Sequence, residues 1–180
     1  MAPRLLGCLL CRRLEGELLA GRIVEVEAYL AKGDLASHQQ RGKTAATQSL
    51  YGEPGTAYVH RNRQHHLVDA VTGPRDEAGA VLLRALEPLA GIEKMVAHRG
   101  GADLRRLASG PGNLCLALAI TRKLDGHDLT LGEELWIAAP PEPPAFGVGI
   151  GPRIGISRST ELALRFVIAG SPFLSRLSVP

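Results

Sequence analysis

Glu25, Glu27 and Tyr29 fall two residues apart in the β-branched run Gly21-Arg-Ile-Val-Glu-Val-Glu-Ala-Tyr-Leu30. On a strand they project from one face with Ile23, while Val24, Val26, Ala28 and Leu30 point the other way into a core. Same-face neighbours lie about 6.6–7 Å apart, so Glu27 and Tyr29 can work on one small molecule, an acid–base group beside a flat ring. Two carboxylates and a phenol on a packed face are costly unless something uses them. The plainer alternative is the solvated outer face of an edge strand.

Other groups could join this strand. The polar stretch Ala31 to Ser49 holds Lys32, Asp34, His38, Arg41 and Lys43 with almost no apolar anchor. Polar loops of that length are functional or disordered, and His38 follows the carboxylates closely enough to fold back over them. Thr56 to Val59 and His65 to Val71 read as the arms of a β-hairpin, with His60-Arg-Asn-Arg-Gln64 as a polar tip suited to a nucleic-acid groove or simply to solvent. His60, His65 and His66 lack a convincing carboxylate or cysteine partner apart from Asp69, so no metal is expected. Arg84 interrupts the apolar run Ala80 to Leu86 and needs a partner: Glu27, Asp69 or a phosphate. Ser109-Gly-Pro-Gly112 before the helical run Asn113 to Ile120 is a candidate phosphate seat, though not a Walker loop.

The elements that must position these groups alternate along the chain. A helix ends at Gly7, a strand covers Cys8 to Leu14, Glu15-Gly16-Glu17 turns, and the central strand runs from Leu18 to Leu30, with a break expected at Gly21. Pro88 ends the Ala80 strand, and a helix follows over 89–99, stopped by Gly100-Gly101. Asp103 caps a short basic helix. Strands follow at Glu134 to Ala138, Val148 to Ile156 (interrupted) and Leu164 to Ala169, with a loop over Pro140 to Pro144. No repeat or linker divides the 180 residues, so one domain over 1–180 is expected.

Composition excludes more than it specifies. Net charge is +3, yet 17 of the 21 basic residues are arginine, whose planar fork suits phosphate; a GC-rich coding bias would give the same skew. Three cysteines inside apolar runs fit buried thiols in a reducing, cytoplasmic setting. Cys8-x-x-Cys11 has no second pair to complete a zinc site. Leu5 to Leu14 is too short to span a membrane and lacks a cleavage pattern.

The ordered set Gly21 to Tyr29, His38, Pro54-Gly-Thr-Ala-Tyr-Val59, Val81-Leu-Leu-Arg-Ala-Leu-Glu-Pro88, Ser109-Gly-Pro111, Leu114-Cys-Leu-Ala-Leu118, Arg165-Phe and Gly170-Ser-Pro172 resembles the alkyladenine (3-methyladenine/methylpurine) DNA glycosylase family through nearly the whole chain. The resemblance implies a mixed α/β (α+β) fold: a curved antiparallel sheet with surrounding helices and a protruding hairpin that wedges into the minor groove. It implies a monomer without cofactor or metal that acts on double-stranded DNA, associated with the nucleoid in the cytoplasm. It places Glu27 as the general base, Tyr29 as a ring stacked on a flipped purine, and His38 at the base edge and sugar-phosphate. Arg84 falls near the pocket and backbone, and Ser171 near phosphate. The departures lie in the hairpin, which is one residue shorter than the family's. There His60 replaces a second stacking aromatic, and Arg61, Asn62 or Arg63 replaces a wedge tyrosine. With the gap before His65, Asp69 takes the place of an asparagine that repels guanine's amino group; without it, Ala70 does.

These residues fit hydrolysis of a purine N-glycosidic bond, in which one carboxylate stabilises an oxocarbenium-like sugar and deprotonates the attacking water. With no lysine at the matching pocket positions, the expectation is a monofunctional glycosylase that leaves an abasic site. Cationic 3-methyladenine and 7-methylguanine are the favoured bases, and hypoxanthine and ethenoadenine the poor ones. Asp69 would relax discrimination against 7-methylguanine. Two rivals remain: a non-catalytic binder of damaged nucleic acid on the same scaffold, and a sugar hydrolase using Glu25 and Glu27 as an acid–base pair. The second is weakened by an aromatic content of one Trp, three Tyr and three Phe.

Overall fold

A computed structural model describes residues 1–140 and 145–176. Eight strands form one antiparallel sheet: β1 (Leu9–Leu14), β2 (Glu17–Tyr29), β3 (Ala57–Asn62), β4 (His65–Val71), β5 (Ala80–Ala90), β6 (Leu135–Ala138), β7 (Val148–Gly151) and β8 (Arg165–Ile168). The order is β3-β4-β5-β2-β1-β6, with β8 added to β2 and β7 to β8. Among the described residues, three short α-helices, α1 (Ala2–Leu5), α2 (Ile92–His98) and α3 (Pro111–Ala117), accompany it. The expected mixed fold and curled antiparallel sheet are present. Beyond its first residue, the expected loop 140–144 lies outside the described residues.

β2 organises the sheet. One edge pairs with β5 along most of its length; the other pairs with β1 over 17–22 and then with β8 over 25–27. The edge-strand alternative is therefore overturned: where Glu25 and Glu27 sit, β2 has a neighbour on each side, and both residues have no exposed surface. Val24 and Val26 join the core as expected, but so does Ile23. The β2–β5 register shifts on both sides of Glu25, skipping Val24 on β2 and Arg84 on β5. Such bulges re-aim side chains and break simple alternation. Leu30 lies past the strand and is exposed.

Four other expectations need correction. Gly21 does not break β2, and Pro88 does not end β5: the two residues face each other beside a register shift, and β5 runs on to Ala90. A proline has no N–H to donate, and the irregular register there accommodates it. The hairpin arms reach Asn62 and His65, so the tip is only residues 63 and 64, with Arg63 at φ 54°, and His60 belongs to the strand. The interrupted strand expected over 148–156 ends at Gly151.

The core packs the inward residues of β1, β2, β4, β5 and β8 against Met95 of α2 and Leu114 of α3. Gly21 marks the closest approach: a Cβ there would lie 2.9 Å from the Glu87 carbonyl oxygen and from Leu86 Cβ. Neither backbone can yield without disturbing the register. Gly21→Ala should therefore lower stability by about 1–3 kcal/mol in urea unfolding; an unchanged midpoint would contradict this packing.

Candidate active site

The bulge that skips Arg84 brings its guanidinium onto both glutamates: Nε lies 3.2 Å from Glu25 Oε1, and Nη1 3.3 Å from Glu27 Oε2. Arg84 thus finds Glu27, as sequence suggested, and Glu25 besides, rather than Asp69.

The two glutamates are held differently. Glu25 Oε1 accepts from Arg165 Nε at 2.7 Å and from the Ser175 hydroxyl at 2.8 Å, and its Oε2 accepts from the Ser175 amide at 2.6 Å. It pins the C-terminal segment to the sheet, which argues against an acid–base pair with Glu27. Glu27 Oε1 accepts from the Ile154 amide at 2.7 Å, and Oε2 from the Tyr29 hydroxyl at 3.0 Å. Burial pushes its pKa up; Arg84, the Ile154 amide and Tyr29 pull it back without reversing the shift, and Glu25 adds to it. Burial likewise raises the Tyr29 phenol, reinforced by the Glu27 charge. Glu27 is a carboxylate in a polar cradle, with elevated basicity.

Beside this cradle opens a cavity of about 550 Å³, a size suited to a small ligand. Tyr29, His38, His60, Asn62, Asp69 and Arg84 all line it. Glu27 does not; it lies behind the Tyr29 and Arg84 side chains and the Ile154 amide, groups of residues that do line the cavity. His38 Nδ1 lies 3.0 Å from the Tyr58 hydroxyl. Burial, with His60 and Arg41 nearby, lowers the His38 pKa to about 4, so its imidazole is neutral at physiological pH. His60 stacks on Tyr58, with ring centroids 4.9 Å apart and planes at 23°. Strand pairing sets Asp69 opposite Tyr58, so Asp69 faces the cavity while Ala70 packs in the core.

Of the other candidates, Arg61 and Arg63 are exposed near the hairpin tip. Ser171 lines a second cavity of about 650 Å³, away from the others, with Arg22 and Phe173. The Ser109-Gly-Pro-Gly112 segment is tied down: Ser109 bridges to Ala85, its hydroxyl donates to the Leu174 carbonyl, and the helix after it has seven residues. Cys8 and Cys11 are free thiols, and no metal-binding cluster occurs among the described residues.

Sequence reading missed the support of Tyr29. The loop after β2 is anchored by Asp34, whose oxygens accept from both Nη atoms of Arg153 at 2.6 and 2.7 Å, with neither side chain exposed. Burial alone would raise the Asp34 pKa; the Arg153 fork and the Leu30 and Ala36 amides outweigh it and hold it low. The Arg153 guanidinium lies over the Tyr29 ring, 4.6 Å from its centroid, without itself lining the cavity. An arginine between Pro152 and Ile154, inside a stretch expected to be an interrupted strand, gave no signal of its own.

The cavity sets the flat Tyr29 ring and several polar side chains in front of an enclosed carboxylate. Comparison with known proteins supplies a family. The methylpurine-DNA glycosylase family model matches residues 1–172. A Chlorobaculum parvum protein named "Putative 3-methyladenine DNA glycosylase" is 46% identical over 184 residues, covering 100% of this chain and 88% of the relative. Proteins of the same name from Rhodopirellula baltica (43% identical; 98% of this chain and 78% of the relative) and Methanoculleus marisnigri (46%; 98% and 92%) match similarly. The chain belongs to the methylpurine-DNA glycosylase family, whose members are DNA-repair hydrolases. Among the described residues, no helix is long and apolar enough to cross a membrane.

Removing one member of a buried ion pair strands the other charge. Arg153→Ala should destabilise the protein by about 3–5 kcal/mol in chemical unfolding; a loss below about 1 kcal/mol, the level of surface pairs, would contradict the buried Asp34–Arg153 clamp.

Proposed function

We propose that this protein is a monofunctional DNA glycosylase that releases cationic alkylated purines, 3-methyladenine and 7-methylguanine above all, and leaves an abasic site. The observation that carries this reading is Glu27: an enclosed carboxylate of raised basicity, hydrogen-bonded to the tyrosine that walls a cavity large enough to admit a purine.

The target nucleotide leaves the duplex at a cost of a few kcal/mol, least for a damaged base. Its purine enters the cavity beside Tyr29, whose ring is backed by Arg153 and oriented by its bond to Glu27. His60, held on Tyr58, offers a second ring, and the neutral His38 faces the base edge and sugar. Arg63 in the hairpin tip and Arg61 near it fill the gap left in the stack and draw the phosphates. As the glycosidic bond lengthens, positive charge grows on the sugar, and Glu27 stabilises it from behind the cavity wall; to take a proton directly from the water attacking C1′ it must first exchange its Tyr29 or Arg84 contact for that water. Arg84 keeps Glu27 ionised despite burial. A cationic base departs without needing a proton, so this weakly aromatic pocket suffices; neutral hypoxanthine and ethenoadenine ask for a general acid and react slowly.

Glu27→Gln keeps the size of the side chain and removes its charge. It should cut single-turnover release of 3-methyladenine from a duplex by about 10²–10⁴-fold while DNA binding persists. Wild-type protein that binds but releases no base would instead favour a damage-binding role. Glu27 must be ionised, so activity is lost as pH falls through its raised pKa. The acid limb of kcat/KM should then lie above 4.5, the ordinary value for this group; a limb at or below it would contradict the role of burial.

A further inference from the structure

Glu27 has no exposed surface and does not line the cavity, so a water poised against a nucleotide there is separated from it by other groups. Among the described residues, three groups touch its carboxylate: Arg84 Nη1 at 3.3 Å, the Ile154 amide at 2.7 Å and the Tyr29 hydroxyl at 3.0 Å. Arg84, Ile154 and Tyr29 all line the cavity as well. They differ in what they can do with a proton. A guanidinium and a backbone N–H only donate, whereas a phenol donates and accepts. The Tyr29 hydroxyl donates to Glu27 Oε2 and, among the described residues, accepts from nothing. Burial and the Glu27 and Asp69 charges raise its pKa against the pull of Arg153, so it keeps its proton at working pH. His38, His60 and Asp69 share the cavity, but their contacts are with Tyr58 and with one another, not with Glu27.

We propose that Tyr29 is a catalytic residue whose hydroxyl relays the proton of the attacking water to Glu27. This rests on the glycosylase reading above and deepens it, with a route that requires no exchange of Glu27 contacts. In the rate-limiting step the water oxygen bonds to C1′ while the bond from C1′ to the purine breaks, its electron pair leaving with the base. One O–H bond of the water breaks, and that proton joins the Tyr29 oxygen. The hydroxyl's own proton passes at the same time to Glu27 Oε2, along the 3.0 Å hydrogen bond already in place. Tyr29 ends as neutral as it began. Glu27 loses its negative charge and the methylated purine its positive one, so the charges balance. The phenol is a poor acid alone, but water bonding to a cationic sugar becomes a strong one and drives both transfers. Stacking uses the ring face and the relay uses the oxygen, so one side chain serves both tasks.

The test is single-turnover release of 3-methyladenine from a duplex by wild type and Tyr29→Phe, which keeps the ring and loses the oxygen. Both are measured on the pH plateau above their acid limbs, where Glu27 is ionised in each. Release by Tyr29→Phe should slow by about 10²-fold, within the range for a positioned proton-transfer group, while affinity for the lesion duplex holds. A hydroxyl that merely orients Glu27 would also slow the variant, so a second readout separates the two roles. Rates are followed in mixtures of light and heavy water. The wild-type rate should curve with deuterium fraction, as two moving protons require. In Tyr29→Phe, where water must reach Glu27 directly, the dependence should be linear. A wild-type rate in Tyr29→Phe overturns the proposal, and so does curvature that persists in the variant. A linear or absent isotope dependence in the wild type overturns it too, and decides alone if Tyr29→Phe does not fold. These results would sink the relay and leave the glycosylase reading standing; a wild type that releases no base would sink that reading itself.

Discussion

The structure depends on keeping a charged carboxylate dry. Moving an ion such as Glu27 out of water costs several kcal/mol after relaxation, and only close donors and an opposite charge offset it. The chain supplies them from distant places: Arg84 from β5, the Ile154 amide from the loop after β7, and Tyr29 from two residues along. Glu25 performs a parallel service one step back on β2. By binding Arg84, Arg165 and Ser175, it brings β5, β8 and the C-terminal segment to the same point. Two carboxylates and two guanidiniums thus form a formally neutral cluster under the cavity wall. That neutrality is what lets the Arg84 charge favour Glu27 without leaving a net buried ion.

The aromatic character of the cavity follows from the same economy. Only one tyrosine, Tyr29, sits on the carboxylate strand, and its ring is flanked by the clamped Arg153. His60 and His38 cluster around Tyr58 elsewhere in the lining. Histidines give flat surfaces with polar edges, so the wall gains hydrogen-bonding capacity and loses apolar contact area.

Much of this was legible in the sequence, for identifiable reasons. The β-branched run around Glu25 and Glu27 marked β2, and six of the expected site residues do share one cavity because period-2 spacing and hairpin pairing are local rules. What could not be read was non-local. The bulges beside Glu25, which put Ile23 in the core and aimed Arg84 at two glutamates, arise from pairing with β5. The loss of a free β2 edge beside the glutamates arises from β8, which arrives some 140 residues later in the chain. Asp34 looked like one polar loop residue among several, since its partner Arg153 is far away in sequence. His60 was assigned to a turn because polar residues in a run resemble a tip, whereas the pairing of Asn62 with His65 extends the strand past it. Ser171 lies by another cavity, and no local signal distinguished its hydroxyl from any other.

The central claim is that ionised Glu27 faces the positive charge that develops on the deoxyribose. The most direct measurement is the affinity for duplexes carrying two abasic-site analogues, a cationic pyrrolidine and a neutral tetrahydrofuran, in wild-type protein and in Glu27→Gln. The account predicts that wild type binds the pyrrolidine duplex more tightly than the tetrahydrofuran duplex, and that Glu27→Gln abolishes the preference. A preference that survives the substitution, or its absence in the wild type, would contradict it.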